Sequence, residues 1–236
     1  MNGWPDGYRL IRHDALDSTN SEAARLAKAG ALCPVWITAR TQSAGRGRRG
    51  RVWDSGTDNL AATLLLKPGR KDFAQLSFAA ALAVAGCATH FVSNAAVTVK
   101  WPNDVLADGA KLAGILLEAC GEHLAIGIGI NLASSPGGTE YPATALAALG
   151  ARPTPDQALE VLAGCFARWY DCWMQQGFEP LRAAWLGRAA GVGAPIRARL
   201  PDGERHGVFA GIDESGALLL NQQGRISAIA AGEVYF

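Results

Sequence analysis

"AVTVKWPNDVLADGAKLAGILLE", residues 96–118, sets the β-rich centre of the chain. "AVTVKW" (96–101) reads as a strand broken by Pro102, and Asp108-Gly109 is the dipeptide of a tight hairpin turn. A turn at that point returns Lys111 to the neighbourhood of Asp104. Lys111 opens an apolar strand, so its ammonium needs a partner. Gly114, three residues on, leaves space for a ligand or a crossing backbone. Two readings are open for the pair. It is either a structural ion pair in a hairpin, or a carboxylate for Mg²⁺ beside a lysine that neutralises a reacting phosphoryl group.

Working outward, "YRLIRHDA" (8–15) alternates as a first strand. In "DSTNSEAARLAKAG" (17–30), Thr19 and Glu22 have capping-box spacing and Gly30 stops the helix. "PVWITAR" (34–40) and "NLAATLLLK" (59–67) are further strands, and Asp72 and Gln75 are placed to cap an Ala-rich helix running to about residue 91. "HLAIGIGINLA" (123–133) is a buried strand whose glycines open its surface, and "SSPGGTEYP" (134–142) a flexible loop by composition. Helices are expected over 155–176 and 178–189. Beyond the Gly-rich 189–195 the pattern turns to short strands, "PIRARL", "HGVFAGID", "ALLLNQ" and "RISAIAAGEVYF", as in a small β-barrel.

Between the second and third strands lies "TQSAGRGRRGRVW" (41–53). Arg46, Arg48, Arg49 and Arg51 bring fixed forks of donors suited to phosphate and carboxylate. The glycines among them let backbone amides approach an anion. By composition such a loop is mobile until an anion neutralises it. An anion site and a solvated surface loop remain equal readings of these residues alone.

The 236 residues are 49% hydrophobic and carry a formal charge of +1. That balance argues against a general nucleic-acid binder. No apolar run reaches the roughly 20 residues of a membrane span, the nearest being Phe78 to Phe91, and the N-terminus lacks the pattern of a signal peptide. A soluble cytoplasmic protein is expected. Five scattered cysteines without a CxxC pair read as buried, reduced thiols, and a structural zinc site is not expected.

Taken in order, "DSTN" (17–20), "QSAGRGRRGRVW" (42–53), "KWPNDV" (100–105), "KLAGIL" (111–116), "GIGINL" (127–132) and "GVFAGIDESGALLL" (207–220) resemble the biotin–protein ligase family. The resemblance spans the chain from Tyr8 onward and is similar to the short form without a DNA-binding repressor domain. It implies an α+β fold. Residues 1–189 would form a mixed β-sheet with flanking helices, as in class II aminoacyl-tRNA synthetases, and residues 190–236 an SH3-like β-barrel.

The resemblance also implies a two-step reaction. Biotin and MgATP give biotinyl-5′-AMP and pyrophosphate, and the acyl group then passes to one lysine of a biotin carboxyl carrier domain. It places Lys111, Arg48 and Asp104 in catalysis, with Asp104 also the candidate Mg²⁺ ligand. Ser18, Thr19, Asn20, Gln42, Gly45, Arg46, Lys111, Gly114 and Gly127 fall at biotin. Arg46, Arg48, Arg51, Trp53, Lys100, Asn103 and Asn131 fall at ATP. A homodimer is compatible with the family; DNA and membrane partners are not expected. Two departures stand out: 53–60 is about one residue shorter than the family pattern, and Ala61 stands where several relatives carry tyrosine. The competing readings are a lipoate or octanoate ligase of the same fold, and a nucleic-acid-binding module using the arginine loop.

Overall fold

Strand β1 (Arg9–Leu16), helix α1 (Thr19–Lys28) and strand β2 (Val35–Gln42) form a crossover unit in the computed structural model, which describes residues 3–56 and 58–236. The two strands pair in parallel from Arg9↔Val35 to Leu16↔Gln42, which is why a helix must connect them. The other strands of this sheet are antiparallel: β3 (Leu60–Leu66), β4 (Val97–Lys100), β5 (Asp104–Ala107), β6 (Ala110–Cys120) and β7 (His123–Ile130). The seven stand in the order β1-β2-β3-β7-β6-β5-β4. The hairpin turns at Asp108 and Gly109, both at positive φ, as the dipeptide predicts.

Period-two alternation divides the sheet into two unlike faces. Leu60, Ala62 and Leu64 of β3 and Leu124, Ile126, Ile128 and Ile130 of β7 join one large core with helices α2 (Leu76–Phe91), α3 (Pro155–Gln176) and α4 (Glu179–Leu186). Their alternates Leu65 and Ala125, with Val35 and Ile37, pack beneath Ala23 of α1. Further along that second face the alternates are Ala61 and Thr63, paired with Gly129 and Gly127. There the side chains shrink, and the face opens into a cavity.

Helix α2 is apolar all round because it is enclosed by the sheet, α3 and α4. With the 3₁₀ turn before it, Phe73–Phe91 is 19 residues, long and apolar enough to cross a membrane. This corrects the shorter span read from the sequence. Its packing in the core accounts for the apolarity.

Strands β8 (Pro195–Leu200), β9 (Gly203–Ile212), β10 (Leu218–Gln222), β11 (Arg225–Ile229) and β12 (Glu233–Tyr235) form a second, antiparallel sheet in the order β11-β10-β9-β8-β12. The last expected strand is therefore two. This second unit docks on the first through Trp101 Nε1, just after β4, which donates to Gly216 O at 3.0 Å, and Arg182 Nε of α4, which donates to Ile212 O at 2.9 Å.

Three local expectations are corrected. Thr19 is the first residue of α1 and makes no capping box: Ser18 is the N-cap, its hydroxyl does not cap, and the Thr19 side chain turns to the sheet. Asp72 and Gln75 flank a 3₁₀ turn without side-chain caps, since α2 is held by burial. The fourth helical segment ends at Leu186, earlier than expected. The capping box that does form is at α3, between Thr154 and Gln157. All five cysteines are free thiols; Cys87 and Cys165 are buried, while Cys33, Cys120 and Cys172 are half-buried.

Candidate active site

A single row of Cα partners crosses five strands: Ala61↔Gly129, Gly129↔Gly114, Gly114↔Asp104 and Asp104↔Lys100. This row runs along the floor of a cavity of about 370 Å³. Lys111 reaches the same floor through an irregularity. Strict alternation back from Gly114 would turn Lys111 into the core with Ala113 and Ile115. The β5–β6 register shifts between Val105 and Leu106, however, and the extra residue re-aims the side chain. Lys111 Nζ lies 2.6 Å from Asp104 Oδ1, an ion pair whose side chains are 28% and 18% exposed.

The β2–β3–α1 end of the cavity is a chain of mostly uncharged hydrogen-bonding groups. Gln42 Oε1 accepts from Thr19 N at 2.8 Å and lies 3.2 Å from Thr19 Oγ1, while Gln42 Nε2 donates to Ser55 Oγ at 3.0 Å. Thr63, fully buried, has Oγ1 2.6 Å from Asn20 Oδ1 and 2.8 Å from Thr19 Oγ1. Asn20 Nδ2 donates to Glu118 Oε2 at 2.7 Å, so its Oδ1 is the atom facing Thr63. Glu118 in turn accepts from Arg46 at 3.2 Å, and Arg46 Nη1 donates to Ser21 Oγ at 2.8 Å.

The β4 end is cationic. Arg48 Nη1 donates to Asn103 Oδ1 and to Gly232 O, each at 3.3 Å, and Arg51 pairs with Glu233. Burial pushes the Arg48 guanidinium below its ordinary value. Lys100 is only 6% exposed. Burial lowers its pKa, opposed by the nearby Asp104 carboxylate. In this structure Arg46, Arg48 and Arg51 of the loop meet protein acceptors. Acceptors from Glu118, Asn103, Gly232 and Glu233 already hold it, and Arg46 bridges to Val52. It points into the cavity that Lys111 lines. Arg49, at φ 56, does not line it.

Of the residues expected at biotin or ATP, all but Gly45 line this one cavity. The glycines also make close approaches within the protein. A Cβ at Gly45 would meet the Trp53 carbonyl, at Gly127 the Asn20 side chain, and at Gly114 the Trp53 ring at 3.1 Å. They make room for neighbouring protein groups. Trp53 lies over the centre of the floor, against Gly114 and also Gly129; among the described residues its Nε1 has no partner. The side-chain amides of Asn103 and Asn131 donate to backbone carbonyls, Ile115 O at 2.7 Å and Thr144 O at 3.0 Å. Both residues thus fix the ends of strands as well as lining the wall.

Sequence reasoning missed Thr63, Ser55, Glu118, Gly129 and Glu233. A lone hydroxyl in the apolar run "LAATLLL" was the available signal for Thr63. Ala61 does line the cavity. The loop over 134–142 is anchored where it begins: Asn59 Oδ1 accepts from Leu132 N and Ala133 N at 2.7 and 2.8 Å, and Asn59 Nδ2 donates to Ser134 O at 2.9 Å. Among the described residues no group of three or more His, Cys, Asp or Glu could hold a metal ion, and Asp104 is engaged by Lys111.

Comparison with known proteins bears on this geometry. Residues 16–131 match the biotin/lipoate A/B protein ligase family, and residues 191–236 match the biotin protein ligase C terminal domain. The chain is 46% identical to the biotin–[acetyl-CoA-carboxylase] ligase of Paracoccus denitrificans, covering 93% of this chain and 97% of that one. It is 35% identical to the bifunctional ligase/repressor of Bacillus subtilis, over 97% of this chain and 74% of the relative. The biotin protein ligase from Aquifex aeolicus in complex with biotin and ATP superposes with a TM-score of 0.85 at 26% identity, covering 96% of this chain and 97% of that one. The chain belongs to the biotin–protein ligase family.

Proposed function

We propose that the protein is an ATP-dependent biotin–protein ligase, and that the two ends of its cavity divide the two substrates. The observation that carries the division is the contrast along one floor. Hydroxyls and amides gather at Thr19, Asn20, Gln42 and Thr63, cations gather at Arg48, Arg51 and Lys100, and the Lys111–Asp104 pair stands between. A ureido ring needs neutral donors and acceptors in an apolar slot, whereas a triphosphate needs charge.

Biotin enters with its carboxylate toward Lys111, and ATP with its α-phosphate toward the same ammonium. The two anions repel one another; Lys111 lowers that repulsion and stabilises the charge that builds on the α-phosphoryl oxygens. A carboxylate oxygen attacks the α-phosphorus and pyrophosphate departs, giving biotinyl-5′-AMP. Arg48, held over the floor by Asn103, covers the adenylate. In the second step the ε-amine of an acceptor lysine, on a biotin carboxyl carrier domain, attacks the acyl carbon and AMP leaves. Asp104 is the carboxylate placed to take a proton at that stage. Magnesium enters as part of the MgATP substrate. A single carboxylate suits an ion whose other ligands are phosphate oxygens and water.

The test is pyrophosphate release with ATP and, separately, biotin, lipoate or octanoate. Release with biotin is expected. Release with lipoate or octanoate but not biotin overturns the reading.

A further inference from the structure

Lys100 is the most deeply buried cationic residue in the cavity wall, at 6% exposure. Among the described residues no carboxylate or carbonyl oxygen accepts a hydrogen bond from it. Three aromatic rings surround it instead. Its Nζ lies 3.7 Å from the ring centroid of Tyr141, 5.5 Å from that of Tyr235 and 5.7 Å from that of Phe236. Tyr141 belongs to the loop after β7, while Tyr235 and Phe236 belong to the second sheet and its end. The cluster therefore ties both to the tip of β4.

The rings and the segments that carry them make further contacts. The Tyr235 hydroxyl lies 2.9 Å from Glu233 and 3.2 Å from Glu140, and the guanidinium carbons of Arg197 and Arg199 each lie 4.6 Å from its centroid. Glu140 is held by Arg199 at 2.8 Å, which anchors the loop that carries Tyr141. Phe236 packs against Gly191, where a Cβ would collide with the ring.

We propose that Tyr141, Tyr235 and Phe236 form an aromatic cage that positions the Lys100 ammonium, charged and with its N–H donors free, at the cationic end of the cavity to receive a polyphosphate. A π face attracts a cation strongly once water is removed, yet it is a poor competitor for N–H donors. The cage thus steadies the ammonium without neutralising it. A carboxylate in the same place would have to be displaced by each incoming nucleotide. The residues of the cage are positioning residues that act through Lys100, and the inference rests on the assignment of Lys100 to ATP.

Calorimetric titration with inorganic pyrophosphate, and separately with biotin, tests the cage on the full chain. Lys100→Met weakens pyrophosphate binding and leaves biotin binding in place; unchanged pyrophosphate affinity in that variant overturns the assignment of Lys100 itself. Tyr141→Leu weakens pyrophosphate binding by roughly tenfold, between the sizes of an exposed and a desolvated cation–π contact. Tyr141→Phe, which keeps the ring, restores the affinity. In the Lys100→Met background, Tyr141→Leu adds nothing further. A Tyr141→Leu protein with parental pyrophosphate affinity overturns the cage, as does one that loses biotin and pyrophosphate equally. In turnover, the cage variants raise KM for ATP and leave KM for biotin.

Discussion

The two faces of the seven-stranded sheet come from the same strands and have opposite characters. On one face Leu64, Ile126 and Ile128 interlock with α2 and α3 and leave no room for a ligand. On the other, one residue along each strand, stand Thr63, Gly127 and Gly129, and the space above them is a cavity edged with hydrogen-bonding and charged groups. Alternation with a period of two is enough to produce both, because a step of one residue exchanges core for site. The faces therefore divide the labour: one supplies folding free energy, the other chemistry.

Two substitutions break this division from opposite sides. Lys111→Ala is expected to lower biotinyl-adenylate formation by about 100-fold or more, the scale seen when a group that stabilises transition-state charge is removed. Pyrophosphate exchange measures it. Ile126→Ala, on the core face of β7 and fully buried, is expected to cost about 2–5 kcal/mol of stability. The rate per folded molecule should stay near the parental value. Denaturant midpoints and turnover measured on both proteins separate the effects. If Lys111→Ala destabilises the protein more than Ile126→Ala does, its role is structural.

The same alternation sets how much could be read from the sequence. The Lys111–Asp104 pair was legible because the Asp108-Gly109 turn between them is local and its geometry is dictated by residue type. The facing of Lys111 was not: it depends on a register shift opposite Leu106, which the sequence of one strand does not reveal. The "DSTN" helix start was legible as a helix and misread as a capping box, since Thr19 is drawn to Gln42 and Thr63, partners distant in sequence. Glu118 and Glu233 escaped notice for the same reason; each meets its arginine across 72 or 182 positions of chain. An Ala-rich helix ending near residue 91 was legible and α2 ends at Phe91, but its enclosure by the sheet, α3 and α4 was not, because that depends on elements distant in sequence.

Gly129→Ala sharpens the comparison at the floor itself. A Cβ there meets the Trp53 indole, and forcing one more carbon into such a contact costs about 1–3 kcal/mol. The strain should fall on Trp53, which must lift from the floor. Gly129→Ala is therefore expected to weaken substrate binding, and Gly129→Ala with Trp53→Leu to recover the lost stability without recovering binding. The stability of the single and double variants, with direct binding of biotin and ATP, decides the matter. A single variant with parental stability means that Trp53 is loosely held.

The smallest expected effect lies at Thr63, where one atom separates the two characters. A hydroxyl has one proton, and the Asn20 amide, fixed by Glu118, presents only an acceptor, so Thr63 must donate to Asn20 Oδ1. Thr19 then donates either to Thr63 or to Gln42, and its remaining capacity faces the cavity. Thr63→Val has nearly the same shape and removes both bonds, leaving Asn20 Oδ1 without its hydroxyl donor. The cost to stability is about 1–3 kcal/mol for a buried polar group left unmade. The functional effect should fall on biotin alone, as a several-fold rise in KM for biotin with KM for ATP unchanged, because the cationic end is built from other strands. Thr63→Ser keeps the hydroxyl and should restore the biotin KM. A Thr63→Val enzyme whose ATP and biotin KM values rise together would show instead that the two ends of the floor are mechanically joined.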